Sequence, residues 1–233
     1  MKKTIVVICN GPSVADIDLN ILKNFDTFGL NLAYRYYWKN NWYPTYHASF
    51  DYHNNRFHKN DFIKLINQDN SIKRFFYIDD FSSYDKTNRF THIKLDDTKK
   101  GWNNSESSFD KFFSFGNSGT NACSAAVAMG YNNIILLGAD CSQKEFYDGC
   151  EQHGNMRIMT KTPDTNPNYW FNYYFQKGDI FNAPQKDIFH TPWWKIFAES
   201  AKKHNIRVVN CSSASTLTCF EKSNILDELE NAR

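Results

Sequence analysis

The chain contains 233 residues, with 27 Lys and Arg against 25 Asp and Glu and a formal net charge of +2. This length can bury the core of one large α/β domain, whereas the near-neutral charge argues against a nucleic-acid-binding protein, which usually needs a basic face. The longest apolar runs are far below the roughly 20 residues that span a bilayer, and the amino terminus lacks the features of a secretory signal. We therefore expect a cytoplasmic protein without a transmembrane segment, with peripheral contact to a membrane left open.

The six cysteines show neither a Cys-x-x-Cys pair nor the spacing of metal ligands. Without a secretory signal, such cysteines are typical of reduced thiols rather than of a disulfide framework or a zinc site. Aromatic residues make up 17% of the chain and concentrate in residues 34–57 and 169–194. Such clusters occur in cores, and they also suit lids and substrate walls.

Apolar runs alternate with helix-forming segments along the chain. The sequence predicts strands at 4–9, 27–30, 45–50, 74–78, 133–137 and 206–209, and helices at 14–22, 120–129, 193–204 and 225–231. This alternation predicts an α/β fold with a Rossmann-like, doubly wound and mostly parallel sheet. We interpret residues 1–233 as a single domain in which residues 148–186 form a lid.

Polar residues follow several of the predicted strands, at the edge of a doubly wound sheet where ligands bind. Asn31, Asp51 and Asp140 each stand at such a position. Asn and Asp are also the residues that turns use. Turn and capping chemistry is therefore the alternative to a binding site.

A first small-residue loop, Asn10-Gly11-Pro12-Ser13, follows the first strand and opens a predicted helix. Gly11 would let a ligand approach the backbone, and free amides at a helix start favour an anion such as phosphate. The loop lacks the glycines of a dinucleotide fingerprint and the Lys of a phosphate-binding Walker loop. An ordinary helix cap explains the pattern equally well.

A second small-residue loop ends in Ser118, Gly119 and Thr120 and opens an Ala-rich helix. Its two hydroxyls beside the helix amides favour a second anion or nucleotide contact. The alternative is that the glycine only allows a buried helix to pack tightly.

Two further motifs bear on catalysis. Asp16-Ile17-Asp18 matches the Asp-x-Asp pattern of metal-dependent glycosyltransferases, but acidic residues in the first turn of a helix are better explained by the helix dipole. We therefore predict no metal. His190 stands among aromatic residues before a helix, where an imidazole is either a hydrogen-bonded structural group or a general base.

These motifs together resemble two related groups of proteins. Residues 1–13, residues 25–31 and the run from Ser118 to Asp140 resemble the bacterial sialyltransferases of glycosyltransferase family 42. Gly138-Ala139-Asp140 and residues 208–221 resemble the motility-associated-factor glycosyltransferases and the 6-hydroxymethylpterin pyrophosphokinase-like proteins. The resemblance covers most of the chain except residues 52–110 and 148–186.

The resemblance to the sialyltransferases implies a single GT-A-like domain that uses CMP-sialic acid without a metal or other cofactor, and often a homo-oligomer. Carried over by position, Asn10, Asn31, Ser118 and Gly119 would face the cytidine monophosphate. Tyr147 falls near the place of a tyrosine that binds the leaving phosphate. The predicted catalytic base falls on His190.

The sequence departs from the sialyltransferase pattern at Asp51, where that family has an Asn, and at Phe115, where an Arg is expected. The favoured hypothesis is an inverting, metal-independent transfer of sialic acid or a related nonulosonic acid from a CMP-sugar donor to a glycan acceptor. The alternatives are a Mg²⁺-dependent, pterin-type pyrophosphokinase that uses ATP, with Asp51 and Asp140 as metal ligands, and a non-catalytic nucleotide-binding protein. The predicted catalytic residues are His190 and Tyr147, and the predicted nucleotide and donor residues are Asn10, Gly11, Ser13, Asn31, Asp51, Ser118, Gly119, Thr120 and Asp140.

Overall fold

The fold is taken from a computed structural model, which describes residues 2–68, 70–96, 106–143, 149–154, 156–182 and 190–233. Its strands are β1 (Thr4–Ile8), β2 (Asp26–Leu30), β3 (Tyr46–Ser49), β4 (Arg74–Tyr77), β5 (Phe90–His92), β6 (Asn133–Leu137), β7 (Cys150–His153), β8 (Met156–Met159), β9 (Ile180–Asn182), β10 (Arg207–Asn210) and β11 (Glu221–Lys222). Its α-helices are α1 (Tyr34–Asn40), α2 (Tyr52–Phe57), α3 (Lys59–Asn67), α4 (Ser118–Ala128), α5 (Thr191–Lys203) and α6 (Ile225–Asn231).

Eight strands form one parallel sheet in the order β11-β10-β6-β1-β2-β3-β4-β5. Because successive side chains of a strand point to opposite faces, Ile5 and Val7 pack in one hydrophobic core and Val6 and Ile8 in the other. Helices α4 and α5 contribute to the first core, and α1 and α3 contribute to the second. The predicted parallel, doubly wound α/β sheet is confirmed.

The prediction of a helix over residues 14–22 is wrong. The segment instead forms two short 3₁₀ helices, Pro12–Asp16 and Leu19–Leu22, separated by an extended Ile17. Asp18 caps the second of these, because its side chain accepts a hydrogen bond of 3.0 Å from the Asn20 amide. Asp16 and Asp18 are both exposed. Asp18 is a helix cap, whereas Asp16 ends the first 3₁₀ helix and caps neither.

The described part of the predicted lid contains a three-stranded antiparallel sheet, β7-β8-β9. A buried ion pair fastens it to the main domain. Arg35 on α1 donates to both carboxylate oxygens of Asp179, at 2.5 and 2.8 Å, and to the carbonyl of Tyr174 at 2.7 Å. Tyr36 on the same helix packs its ring 4.3 Å from that of Trp170. These contacts make the lid segment part of the packed structure.

Within the described ranges, no helix is long and apolar enough to cross a membrane.

We predict that Asp179→Asn lowers the free energy of unfolding by about 3 to 5 kcal/mol, because it leaves the buried Arg35 guanidinium without a counter-charge. The side chains of this pair are only 9% and 8% exposed. Urea unfolding of the wild type and the variant measures the change.

Asp110→Asn is the matched control, because Asp110 forms an ion pair of 3.0 Å with Lys94 whose side chains are 75% and 57% exposed. It should cost less than about 1 kcal/mol. Equal effects of the two substitutions would show that the Arg35–Asp179 pair contributes no more than a surface pair.

Candidate active site

A cavity of about 620 Å³ lies at the carboxyl ends of the central strands, within the size range of small-molecule sites. It lies where the chain order of the sheet reverses, since β1 pairs with β2 on one side and with β6 on the other. Ligands of open α/β sheets bind at such a point. The predicted residues that line the cavity are Asn10, Gly11, Asn31, Asp51, Ser118, Gly119, Asp140 and His190.

Two other predicted residues lie behind the cavity wall. The Ser13 hydroxyl donates to Asp140 at 2.5 Å. The Thr120 hydroxyl donates to the carbonyls of Phe115 and Asn117, at 3.2 and 2.9 Å. Both hydroxyls are therefore used within the protein. Tyr147 lies outside the described residues, so its assignment stays a prediction.

The buried carboxylate of Asp140 joins the loops that follow β1 and β6. One oxygen accepts the Ser13 hydroxyl, and the other accepts the Ser13 amide at 2.8 Å. The loop after β10 also contacts the loop that carries Asp140. The amide of Ala139 donates to the Ser212 hydroxyl at 2.9 Å, and the carbonyl of Ala139 accepts a hydrogen bond from the Ser215 hydroxyl at 2.7 Å. Asp140 thus has a structural role in shaping the cavity.

Close packing within the protein explains the glycines of both loops. A Cβ atom on Gly11 would lie 2.4 Å from an Asp140 carboxylate oxygen and 2.5 Å from the Gly138 carbonyl oxygen. A Cβ atom on Gly119 would lie 2.6 Å from the ring of Trp194. The structure therefore favours the packing interpretation of these glycines, while both still line the cavity.

Asn10 connects the end of β1 with the lid. Its side-chain nitrogen donates to the Leu30 carbonyl and to the Tyr174 hydroxyl, both at 3.2 Å, and its oxygen accepts from the Trp170 indole at 3.4 Å. Beside it, stacked aromatic pairs from the lid form one wall of the cavity: Tyr169 with Tyr174, and Phe175 with Phe181.

Asn31 directly follows β2 and lies in the left-handed region, with φ of +53°, which is uncommon for a residue other than glycine. Its side-chain nitrogen donates to the Ser118 hydroxyl at 3.2 Å, and its carbonyl faces Nε2 of His47 at 3.0 Å. Its Oδ1 is buried without a hydrogen-bond partner. Asn117, which caps α4 through its oxygen, likewise has a buried Nδ2 without a partner. Both residues line the cavity, each with one polar side-chain atom that the protein leaves without a partner.

Asp51 lines the cavity and caps α2. One of its carboxylate oxygens accepts the amides of His53 and Asn54, at 2.8 and 3.1 Å. At this strand end, Asp51 therefore has the helix-capping role that is the alternative to a binding site.

His190 immediately precedes α5 and lines the cavity, where it is half-buried. Its carbonyl accepts the amides of Trp193 and Trp194, at 3.1 and 3.3 Å. The buried Trp194 lines the cavity beside it. An imidazole held at a cavity edge by a helix start can accept a proton from a bound hydroxyl near neutral pH.

The described lining of the cavity contains no Lys or Arg, and its two carboxylates, Asp51 and Asp140, both accept hydrogen bonds from the protein. An anion there would be bound by neutral dipoles, including the first amides of α4 at Ser118 and Gly119. Among the described residues, no group of three His, Cys, Asp or Glu is placed to bind a metal ion.

Burial keeps other groups of the lining neutral. It raises the pKa of the Tyr169 and Tyr174 phenols, so both remain protonated at neutral pH. It also raises the pKa of the Cys9 thiol, which argues against Cys9 as a nucleophile.

The sequence interpretation placed Tyr169 and Tyr174 in the predicted lid, but it missed Phe175 and Phe181 of the aromatic wall and the buried His47. The density of aromatic residues at 169–194 marked the region of the wall. The signal for His47 was a lone imidazole inside an apolar strand, which indicates a specific hydrogen-bond partner.

No protein-family model and no curated protein matches this chain, but solved structures share its fold. One is the sialyltransferase CstII from Campylobacter jejuni in complex with the substrate analogue CMP-3FNeuAc, with a TM-score of 0.51 and 19% identity over 95% of this chain and 86% of that chain. Another is the MAf glycosyltransferase from Magnetospirillum magneticum AMB-1, with a TM-score of 0.52 and 12% identity over 96% of this chain and 34% of that chain. The expected resemblance to both groups is confirmed at the level of the fold.

We predict that stability falls as the pH is lowered from about 6.5 toward 3. Burial lowers the pKa of His47 to about 3, whereas an unfolded imidazole takes up its proton near pH 6.5. Between these values the unfolded state binds more protons, so the free energy of unfolding drops by up to about 1.4 kcal/mol per pH unit through this group.

Urea unfolding between pH 4 and 7 tests this expectation. His47→Gln removes the titrating imidazole and should make the dependence on pH shallower by about one proton. An identical slope for the wild type and the variant would contradict the buried, neutral state of His47.

Proposed function

We propose that this protein is a glycosyltransferase that transfers sialic acid or a related nonulosonic acid from a CMP-sugar to a hydroxyl of a glycan, with inversion and without a metal. The observation that carries the proposal is the cavity at the strand reversal, where the amides that begin α4, the side chains of Asn31 and Asn117 and the imidazole of His190 converge. The shared fold with a sialyltransferase solved with a CMP-sugar analogue supports the same donor class.

The proposed donor carries two negative charges, one on the phosphodiester and one on the carboxylate of the sugar. Because the described lining contains no Lys or Arg, amides and hydroxyls would bind these groups without a cation. As the bond from the anomeric carbon to the phosphate oxygen breaks, its electron pair moves to that oxygen. The amides of Ser118 and Gly119 and the unpartnered side-chain Nδ2 of Asn117 would stabilise the added charge, the usual contribution of fixed dipoles in an active site. In this proposal Tyr147 adds a hydrogen bond to the same phosphate.

His190 would act as the general base. The glycan hydroxyl attacks the anomeric carbon from the side opposite the leaving phosphate, which inverts the configuration, and its proton passes to the neutral imidazole. The aromatic wall of Tyr169, Tyr174, Phe175 and Phe181 would exclude water that competes with the acceptor.

The pyrophosphokinase alternative finds less support. It requires Asp51 and Asp140 to bind Mg²⁺, but Asp51 caps α2 and both oxygens of Asp140 accept hydrogen bonds from Ser13. Binding a metal would disrupt the contact between the loops after β1 and β6.

We predict that CMP stabilises the protein against heat and that EDTA does not alter this effect. At a ligand concentration of 100 Kd the gain is about 2.7 kcal/mol, or about 5 to 10 °C for a chain of this size. A thermal-shift panel of CMP, CTP, ATP and UDP, with Mg²⁺ or EDTA, measures it. Stabilisation by ATP that requires Mg²⁺ would instead indicate the pyrophosphokinase, and no nucleotide effect would contradict the nucleotide site.

We also predict that His190→Ala lowers kcat by about 10²- to 10⁴-fold, the range of general acid–base catalysis, while the Kd for CMP changes less than twofold. Turnover of the wild type should fall in acid, because the protonated imidazole cannot accept a proton.

His53→Ala is the matched control, since His53 is the other imidazole in the described lining, and it should lower kcat less than tenfold. Melting curves of both variants exclude unfolding. If His190→Ala retains most of its kcat, another group is the base.

A further inference from the structure

Three polar groups form a hydrogen-bonded chain beneath the cavity, across neighbouring strands. The Tyr77 hydroxyl on β4 lies 2.9 Å from Nδ1 of His47 on β3, and Nε2 of His47 lies 3.0 Å from the carbonyl oxygen of Asn31 at the end of β2. Tyr77 and His47 are fully buried, and neither lines the cavity. Only Asn31 joins this chain to the site.

The direction of both hydrogen bonds follows from the chemistry of the groups. A carbonyl oxygen only accepts, so Nε2 of His47 carries the hydrogen and donates it to Asn31. The neutral imidazole then has a bare Nδ1, which accepts the hydroxyl hydrogen of Tyr77. Burial lowers the pKa of His47 to about 3 and raises that of Tyr77 well above its usual range, so both groups keep this state around neutral pH.

Asn31 depends on contacts of this kind for its conformation. Its backbone occupies the left-handed region, which an asparagine adopts at some cost and keeps when its surroundings fix it. His47 donates a hydrogen bond to the backbone carbonyl of Asn31. The hydroxyl of Ser118 accepts a hydrogen bond of 3.2 Å from the side-chain nitrogen of Asn31. Together these contacts hold the side chain of Asn31, whose Oδ1 is buried without a partner, in the wall of the cavity.

We propose that His47 and Tyr77 are positioning residues, which fix the backbone of Asn31 and thereby aim its side chain at the bound ligand. The identity of that ligand as a CMP moiety rests on the proposed function, whereas the control of Asn31 does not. Neither residue touches the ligand, so their effect on binding must pass through Asn31.

The competing interpretation is that Tyr77 and His47 only stabilise the core. Tyr131 provides a matched control, because it is also almost fully buried and donates its hydroxyl to Asp26 at 2.7 Å. Tyr131 lies two residues before β6 and Asp26 begins β2, so this bond lies at the amino ends of the strands, opposite the cavity. Tyr77→Phe and Tyr131→Phe each delete one buried hydroxyl and leave the ring in place.

The first experiment uses the ligand-free protein. In ¹⁵N–¹H spectra we expect a single tautomer of His47 with the hydrogen on Nε2. The side-chain amide of Asn31 should exchange with solvent at least tenfold faster in Tyr77→Phe and His47→Leu than in the wild type, and at the wild-type rate in Tyr131→Phe. His47→Gln, whose amide can still donate toward the Asn31 carbonyl, should restore most of the protection.

The second experiment is a double-mutant cycle on the Kd for CMP, measured by calorimetry. Tyr77→Phe should weaken binding by about 2- to 12-fold, the effect of one lost hydrogen bond, and Tyr131→Phe by less than twofold. Asn31→Ala should weaken binding by at least as much as Tyr77→Phe. Adding Tyr77→Phe to Asn31→Ala should then cause no further loss, because the hydroxyl acts through Asn31.

The outcomes separate the two proposals. If no nucleotide binds the wild type, the proposed function fails, and the amide exchange of Asn31 still decides the role of His47 and Tyr77. Unchanged exchange in Tyr77→Phe overturns the positioning role whatever the nucleotide data show. Equal losses of CMP affinity in Tyr77→Phe and Tyr131→Phe, or additive losses in the cycle, overturn it as well, because they indicate general destabilisation.

Discussion

The carboxylate of Asp140 bonds to the amide and hydroxyl of Ser13, and this contact joins the loops after β1 and β6 where the strand order reverses. The cavity exists because the two loops meet there. Gly11 must lack a side chain for the loops to approach, and the serines of the loop after β10 hold Ala139 beside them. The carboxylate of Asp140, which the sequence analysis assigned to ligand binding, thus forms its hydrogen bonds within the protein.

The segment predicted to be a lid adds aromatic rather than charged surface to the cavity. It is attached by apolar residues that are buried in the second hydrophobic core, by the Arg35–Asp179 pair, and by the hydrogen bonds of Asn10 with Tyr174 and Trp170. Between these points, stacked rings cover one side of the cavity. The high aromatic content of the chain therefore serves both core and cavity wall. A wall of this kind lowers the local dielectric, which strengthens the effect of the few dipoles that face a ligand.

Several features of the site follow from the sequence alone. The β-branched run of β1 and the apolar run of β6 require a sheet buried on both faces, and polar residues at strand ends then converge on one edge. The resemblance to known families selected Asn31, Ser118 and His190 among those polar residues, and all three line one cavity. These predictions rest on local information: an apolar run that forms a strand, the polar residue that follows it, and the order of such runs along the chain.

Tertiary structure decided which of these residues face the cavity and which face each other. Ser13 and Asp140 are 127 positions apart, so no local pattern shows that they bond. In place of the helix expected over residues 14–22 there are two short 3₁₀ helices. Ser13 in the first is bonded to the distant Asp140, and Asp18 caps the second. The backbone of Asn31 is likewise set by a histidine on the adjacent strand. The sequence determines the sheet and its polar edge, because hydrophobic periodicity is a local property. The partners of each polar group depend on which strands lie side by side, and only the folded chain establishes that order.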